Sequence, residues 1–206
     1  MVHSLNKLFL NNNIHVISGF AGIGKSTLAK LHPEAFIDLD SSQFSWKDYN
    51  PNADKEASKG TFKERNENFP QDYVRAIKKC ITEHPDKVIL ISQHQPVRDE
   101  LVKNNINFVL AFPAMEEKAE FIKRYQSRGN NDKFIELLSQ NWTAWIGALQ
   151  QETQSNGHIN LTGYLSEFIE STVLPCPTRV SGQRNEAQIT NTKTFNDKNK
   201  IRKPLL

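Results

Sequence analysis

The chain has 206 residues, of which 37% are hydrophobic and 9% aromatic, with 26 basic against 23 acidic side chains. This is room for one globular domain and little more, and it excludes a disordered low-hydrophobicity chain and a membrane span, since no apolar stretch approaches the needed length. Seven basic and two acidic residues fall from Arg179 onward, leaving a slightly acidic body of 19 basic and 21 acidic residues; the two cysteines, Cys80 and Cys176, show neither metal-ligand spacing nor a disulfide framework, as expected in a reducing cytoplasm.

The N-terminal MVHSLNKLFLNNN lacks the apolar core of a signal peptide. The first element is a β-branched strand at 14–18, followed at once by GFAGIGKST and an apolar, helix-favouring run at 25–31. Gly19, Gly24, Lys25 and Ser26 fit G-x-x-x-x-G-K-[ST], in which backbone N–H groups wrap a di- or triphosphate, the lysine reaches its outer phosphates and the hydroxyl ligates Mg²⁺. Gly19, Ala21, Gly22, Ile23, Gly24, Lys25, Ser26 and Thr27 are the expected nucleotide contacts, with glycine permitting close backbone approach and the start of the helix favouring the same anion. A chance glycine turn would not require a lysine followed by a hydroxyl residue. The loop predicts a bound nucleoside triphosphate but does not distinguish transfer, motion and switching.

The second strand, 35–39, ends in AFIDLDSS, so Asp38 and Asp40 alternate onto one face at the edge where ligands sit in a doubly wound sheet. A carboxylate there orients Mg²⁺ through water or accepts the proton of an attacking hydroxyl. A polar insert, 41–72, follows; its Asn, Pro, Gly and Lys content opposes a regular core element, and a long connection inside a compact domain is usually functional. It carries Phe44, Trp46, Tyr49, Phe62 and Phe69, with Tyr73 just beyond. Phe44 and Trp46 are the expected substrate contacts, since stacking on a base is worth about 1–3 kcal/mol; the other aromatics are expected to pack the insert onto the body.

Helices are predicted at 73–82, 96–103, 116–128 and 133–149. Between them VILIS (88–92) and FVLAF (108–112) are continuous apolar runs, the mark of strands buried on both faces of a parallel sheet, and GHINL (157–161) is a weaker last strand. Arg124 and Arg128 are four residues apart and share a helix face, where two guanidiniums can neutralise charge on a transferring phosphoryl group. Gly129 and Asn130 then break the helix, residues suited to a helix end and a hinge. Trp142 and Trp145 continue the apolar face of Phe134, Leu137 and Leu138 and are expected in the core. From 176 to 206 the chain reads as a flexible basic tail.

GFAGIGKSTLAK followed by FIDLD resembles the small P-loop metabolite and nucleotide kinases, among which shikimate and gluconate kinases pair a similar loop with Asp-x-Asp at the end of strand two. The resemblance implies a three-layer P-loop sandwich of about five parallel strands, Asp38 near the Mg²⁺ shell and Asp40 on the acceptor hydroxyl. DSSQFSW, NFPQDY, ISQHQPVR and KRYQSRGNN resemble phage-type deoxynucleotide kinases and related phage P-loop proteins. Where many nucleotide kinases have Asp-Gly-x-Pro-Arg, this chain has Ser92 to Arg98, which implies acceptor-phosphate binding by Arg98 but puts Ser92 in the place of a metal-assisting acid. The same resemblance implies a lid at 116–132 whose arginines, Arg124 and Arg128, close onto the triphosphate. His94 is read as a structural, hydrogen-bonded residue.

Neither the Asn-Lys-x-Asp nor the Asp-x-x-Gly of a regulatory GTPase appears in its expected place, and VILIS and FVLAF end without the acid of motor ATPases. The expected activity is therefore ATP- and Mg²⁺-dependent phosphoryl transfer to a nucleoside, nucleoside monophosphate or similar small acceptor, with Lys25, Asp40, Arg124 and Arg128 catalytic. A kinase acting on a nucleic-acid end or a modified base in DNA stands second, and a nucleotide-binding regulatory module without transfer activity third. No membrane partner is expected, and a homodimer is compatible with the chain.

Overall fold

Five short runs rich in β-branched and aromatic residues become the sheet of a computed structural model, which describes residues 2–47 and 64–173. In chain order the elements are α1 (Val2–Asn11), β1 (Val16–Gly19), α2 (Lys25–Leu31), β2 (Phe36–Asp38), α3 (Ser42–Ser45), α4 (Gln71–Glu83), β3 (Val88–Ser92), α5 (Gln95–Lys103), β4 (Phe108–Pro113), a 3₁₀ turn (Met115–Glu117), α6 (Lys118–Ser127), α7 (Asp132–Gln150), β5 (His158–Leu161) and α8 (Leu165–Val173). The expected tail at 176–206, together with Tyr49, Phe62 and Cys176, lies outside the described residues.

The strand order is β2-β3-β1-β4-β5 and every pairing is parallel. Central β1 places Val16 opposite Ile89 and Phe108, and Gly19 opposite Ser92 and Ala111. Alternation along the strands divides the core in two. Val16, Ile89, Ile91 and Phe108 pack with Val74 and Ile77 of α4 and Val97 and Leu101 of α5. Ile17, Leu90 and Leu110 pack with Leu28 of α2, Phe121 of α6, Trp142 of α7 and Ile169 of α8. Covering both faces is what lets VILIS and FVLAF be apolar throughout, each fully buried aliphatic residue contributing about 1.5–3 kcal/mol. Because all strands run one way, Gly19, Asp38, Ser92, Pro113 and Leu161 end at a common edge, and five chain connections leave the sheet there.

The predicted strands and four predicted helices occur with shifts of one or two residues, except that the expected helix at 116–128 is divided into the 3₁₀ turn and α6. Three helices add to the predicted set. Amphipathic α1 packs on α8, buries Phe9, and donates from Asn6 Nδ2 to the Asp86 carbonyl at 2.9 Å. The insert, expected without regular elements, begins with α3 and is closed at its base by an antiparallel bridge between Trp46 and Arg65. No helix among the described residues is long and apolar enough to cross a membrane.

On α7 the buried stripe is Leu138, Trp142, Ile146 and Leu149. Trp142 is 1% exposed and donates its indole N–H to the Met115 carbonyl at 2.8 Å, as expected of a core residue. Leu137 and Trp145 correct the sequence reading: they are 50% and 36% exposed, because each lies one residue, about 100° of helix turn, away from that stripe. Replacing Trp142 with alanine is expected to cost about 3–5 kcal/mol through cavity formation. The same change at Trp145 should cost at most about 1 kcal/mol, both read from the urea midpoint.

Candidate functional site

The turn between β1 and α2 is shaped by its glycines. Gly22 and Gly24 hold φ of 85° and 94°, a left-handed conformation that side chains disfavour. A Cβ on Gly22 would stand 3.1 Å from the Tyr125 hydroxyl, and one on Gly24 3.2 Å from the Tyr164 ring. Among the described residues, no close, well-aligned backbone hydrogen bond is donated by any residue from Ala21 to Thr27. The turn therefore presents a run of available donors, including those of Gly22 and Thr27, and such a concavity binds anions.

Beside these donors the Lys25 side chain folds back so that its ammonium donates to the Gly19 carbonyl at 2.8 Å and the Phe20 carbonyl at 3.0 Å. Burial pulls its pKa down from 10.5 to about 8, against the pull of the Asp38 and Asp40 carboxylates, and the positive Arg128 lowers it further. Asp38, Asp40 and Arg128 thus each lie within Coulombic reach of Lys25. The Ser26 hydroxyl donates to Asp38 Oδ2, which joins the two residues expected around a metal. Among the described residues no three His, Cys, Asp or Glu side chains come together to hold an ion on their own.

Asp40 stands exposed past the end of β2, where its Oδ1 accepts from the Ser42 backbone N–H at 2.9 Å and sets the turn into α3. The aromatic residues of the insert are arranged differently from the expectation of two substrate contacts. Phe44 packs on Tyr73, ring centroids 5.1 Å apart, within the core cluster of α4 and α5. Phe69 also stacks on Tyr73, at 6.1 Å, and meets His94 edge-on at 6.0 Å. Tyr73 ties this column to the sheet edge by donating to the Leu39 carbonyl at 2.5 Å. Trp46 keeps a half-buried ring, covered by the Arg65 guanidinium at 4.6 Å.

Arg98 is only 4% exposed, and its guanidinium is spent on the Gln93 backbone carbonyl and the Gln95 side chain, leaving Nε buried without a partner among the described residues. It therefore secures the turn from β3 into α5. Ser92, at the end of β3, has its Oγ buried and unpartnered among the described residues. His94 follows; burial lowers its pKa, and nearby Arg65, Lys25 and Arg98 lower it further, so the imidazole is neutral at pH 7. Several positive groups thus gather around one neutral histidine, and an anion arriving among them is favoured.

The two arginines of α6 divide. Arg124 is 6% exposed and lies between rings, 4.6 Å from the centroid of Phe121 and 3.9 Å from that of Tyr164, with Nη1 donating to the Gly163 carbonyl at 3.4 Å. Arg128 caps the end of α6 and is exposed. The expected lid at 116–132 is thus made mostly of α6, packed on α7 and joined to it by a short turn at 128–131, with Gly129 at φ 70° and Asn131 capping α7 by accepting from the Phe134 N–H at 2.8 Å. Sequence reasoning missed Tyr125, Tyr164 and Arg65. A GY pair just after the last strand was the only local signal for Tyr164; Tyr125 and Arg65 had none.

The chain matches no protein-family model and no curated protein. It is similar to a solved structure of an uncharacterized protein from Eubacterium ventriosum, at 12% identity over 78% of this chain and 96% of that one, with a TM-score of 0.39, a likeness that carries no argument about activity.

Proposed function

We propose that the protein is a P-loop kinase that transfers the γ-phosphoryl group of ATP to a nucleoside, nucleoside monophosphate or similar small acceptor. The observation that carries this reading is the run of available N–H donors from Ala21 to Thr27 wrapped beside the buried Lys25 ammonium, with Asp38, Asp40 and Arg128 in Coulombic reach. Backbone donors beside a buried cation fit a polyphosphate, and the oxygens of Ser26 and Asp38 fit Mg²⁺, which usually takes only one or two carboxylates and fills its shell with phosphate oxygens and water. The ion would neutralise charge between the phosphates when bound.

In this reading the loop amides and Lys25 bind and orient the triphosphate. Where the acceptor attacks through a hydroxyl, Asp40 accepts its proton as that oxygen bonds to the γ-phosphorus and the bond to the β-phosphate oxygen breaks, releasing ADP; a monophosphate acceptor attacks through an oxygen that is already ionised and gives up no proton. Arg128 reaches the transferring group from the end of α6. Arg124, stacked on Tyr164, supports the wall of the nucleotide site. The Phe69–Tyr73–Phe44 column and the Arg65–Trp46 pair form the acceptor side.

The arginines separate by assay. Arg128→Ala is expected to lower kcat by about 10- to 100-fold, the worth of one charge-assisted contact, with Tm unchanged because the side chain is exposed. Arg124→Ala should lower Tm as well, since it removes a buried cation from between two rings. Thermal melting beside steady-state kinetics reads both.

A second reading, a nucleotide-binding regulator without transfer activity, draws on Ser92, which ends β3 with no acid in its place. ADP release from Mg-ATP across nucleosides, deoxynucleoside monophosphates, small hydroxylated metabolites and DNA oligonucleotides tests both. Acceptor-dependent release supports the kinase and names its substrate class. Tight ATP binding with no stimulation by any acceptor selects the regulator, and stimulation by DNA ends alone moves the activity to nucleic acid.

A further inference from the structure

We infer that Tyr125, from α6, is a positioning residue that sets the direction of one peptide in the glycine turn and thereby its grip on phosphate. The inference rests on the phosphate-loop reading above. The Tyr125 hydroxyl donates to the Ala21 carbonyl at 2.7 Å. A trans peptide is planar, so its C=O and N–H point in opposite directions. Holding the Ala21 carbonyl toward α6 therefore turns the Gly22 N–H away from α6 and into the loop, where it donates no close, well-aligned backbone hydrogen bond among the described residues.

Two further features make this a fixed arrangement. Tyr125 is 3% exposed, and its ring is held by Phe121 at 6.4 Å and by Phe134 of α7 edge-on at 5.2 Å, so the hydroxyl has little room to leave. Gly22, at φ 85°, packs so closely that a Cβ would stand 3.1 Å from that hydroxyl and 3.4 Å from the Phe121 ring, which leaves the peptide no side chain by which to anchor itself. A peptide next to a left-handed glycine flips easily, because glycine accepts both signs of φ. Without an external partner the Ala21–Gly22 peptide would sample both directions, and only one presents a donor to an anion. The partner comes from α6, the helix that also carries Arg124 and Arg128.

Tyr125→Phe keeps the ring and its packing and removes the hydroxyl alone. Titration calorimetry with Mg-ATP is expected to show binding weakened by about 5- to 30-fold, while adenosine, which lacks phosphates, binds as to the wild type. In parallel, the Gly22 amide resonance should shift on adding Mg-ATP to the wild type and shift far less in Tyr125→Phe, a readout that lost packing would not single out. Tyr125→Leu, which also removes the ring, adds a fall in Tm that Tyr125→Phe does not share. If Tyr125→Phe binds Mg-ATP like the wild type while Lys25→Met does not, the positioning role is overturned and the phosphate-loop reading stands. If the wild type and Lys25→Met bind Mg-ATP alike, that reading falls and this inference with it.

Discussion

Lys25→Met is expected to reduce turnover by about 10²- to 10³-fold, the scale for removing one preorganised charge from a transferring group. The loss would not be unfolding. In the free protein the lysine is costly: a pKa pulled from 10.5 to about 8 means that burial disfavours the charged form by about 3 kcal/mol. Removing it relieves that cost but strips the Gly19 and Phe20 carbonyls of their donor, a loss of about 1–3 kcal/mol for each group left buried. The two effects oppose each other, so Tm should stay within about 5 °C of the wild type. What should vanish is stabilisation by ligand: a nucleotide at 100 times its Kd adds about 2.7 kcal/mol to the wild type and nothing to a variant that no longer holds it. A thermal-shift series with and without Mg-ATP checks this directly.

The same lysine predicts a pH dependence. Below about pH 8 folded and unfolded chains both hold the proton and the burial penalty applies in full; between about 8 and the ordinary 10.5 the unfolded chain holds a proton that the folded chain has released. Stability of the ligand-free protein therefore rises with pH across that window, as far as Lys25 governs it. Activity runs the other way, since kcat/KM should fall as pH rises through about 8 and the free protein loses the charge that meets phosphate. A bound polyphosphate favours the protonated ammonium, so nucleotide binding at pH 8.5–9.5 should take up a proton. Calorimetry in two buffers of different ionisation enthalpy measures that uptake, and its absence would detach Lys25 from the anion.

The sheet was legible because its information is local. VILIS and FVLAF are apolar throughout only because both faces are covered, and the switch from strand to helix at GFAGIGKST is punctuated by glycines that the turn itself requires. Asp38 and Asp40 were legible for the same reason, since period-two alternation and the strand end place them without knowledge of the rest of the chain. What failed depended on distant partners. Helix α1 draws its support from α8 at the far end of the described chain. The phase of the α7 stripe, which buries Trp142 and exposes Trp145, is fixed by the Met115 carbonyl and the Phe20 and Phe121 rings. Tyr125 meets Ala21 across 104 positions. Arg98 looks from its sequence like a free cation after a strand, and only the way α5 turns on Gln93 and Gln95 buries it. The spacing of a motif says which groups can meet a ligand; the packing behind it decides which are free to do so.

Asp40→Asn is expected to lower acceptor-dependent turnover by about 10²- to 10⁴-fold, the range for a lost general base, while leaving Mg-ATP affinity within a few-fold of the wild type. The substitution is informative because the fold does not need the charge. Asp40 Oδ1 accepts from the Ser42 N–H at 2.9 Å, and an asparagine carbonyl makes the same turn. A fall in turnover therefore reports chemistry and not a disordered β2–α3 junction. Neutralising Asp40 also removes one of the two carboxylates that support the Lys25 charge, Asp38 being the larger, so the alkaline limb of the pH profile should move to lower pH in the variant. A phosphotransferase predicts both effects together, with kcat lost and the profile displaced. A binding module predicts the displaced titration of Lys25 alone, with ATP held as before and no acceptor-dependent turnover to lose. Rapid-quench measurement of ADP formation by Asp40→Asn, run across pH 6 to 10 beside the wild type, distinguishes them: an unchanged single-turnover rate would remove Asp40 from the chemical step.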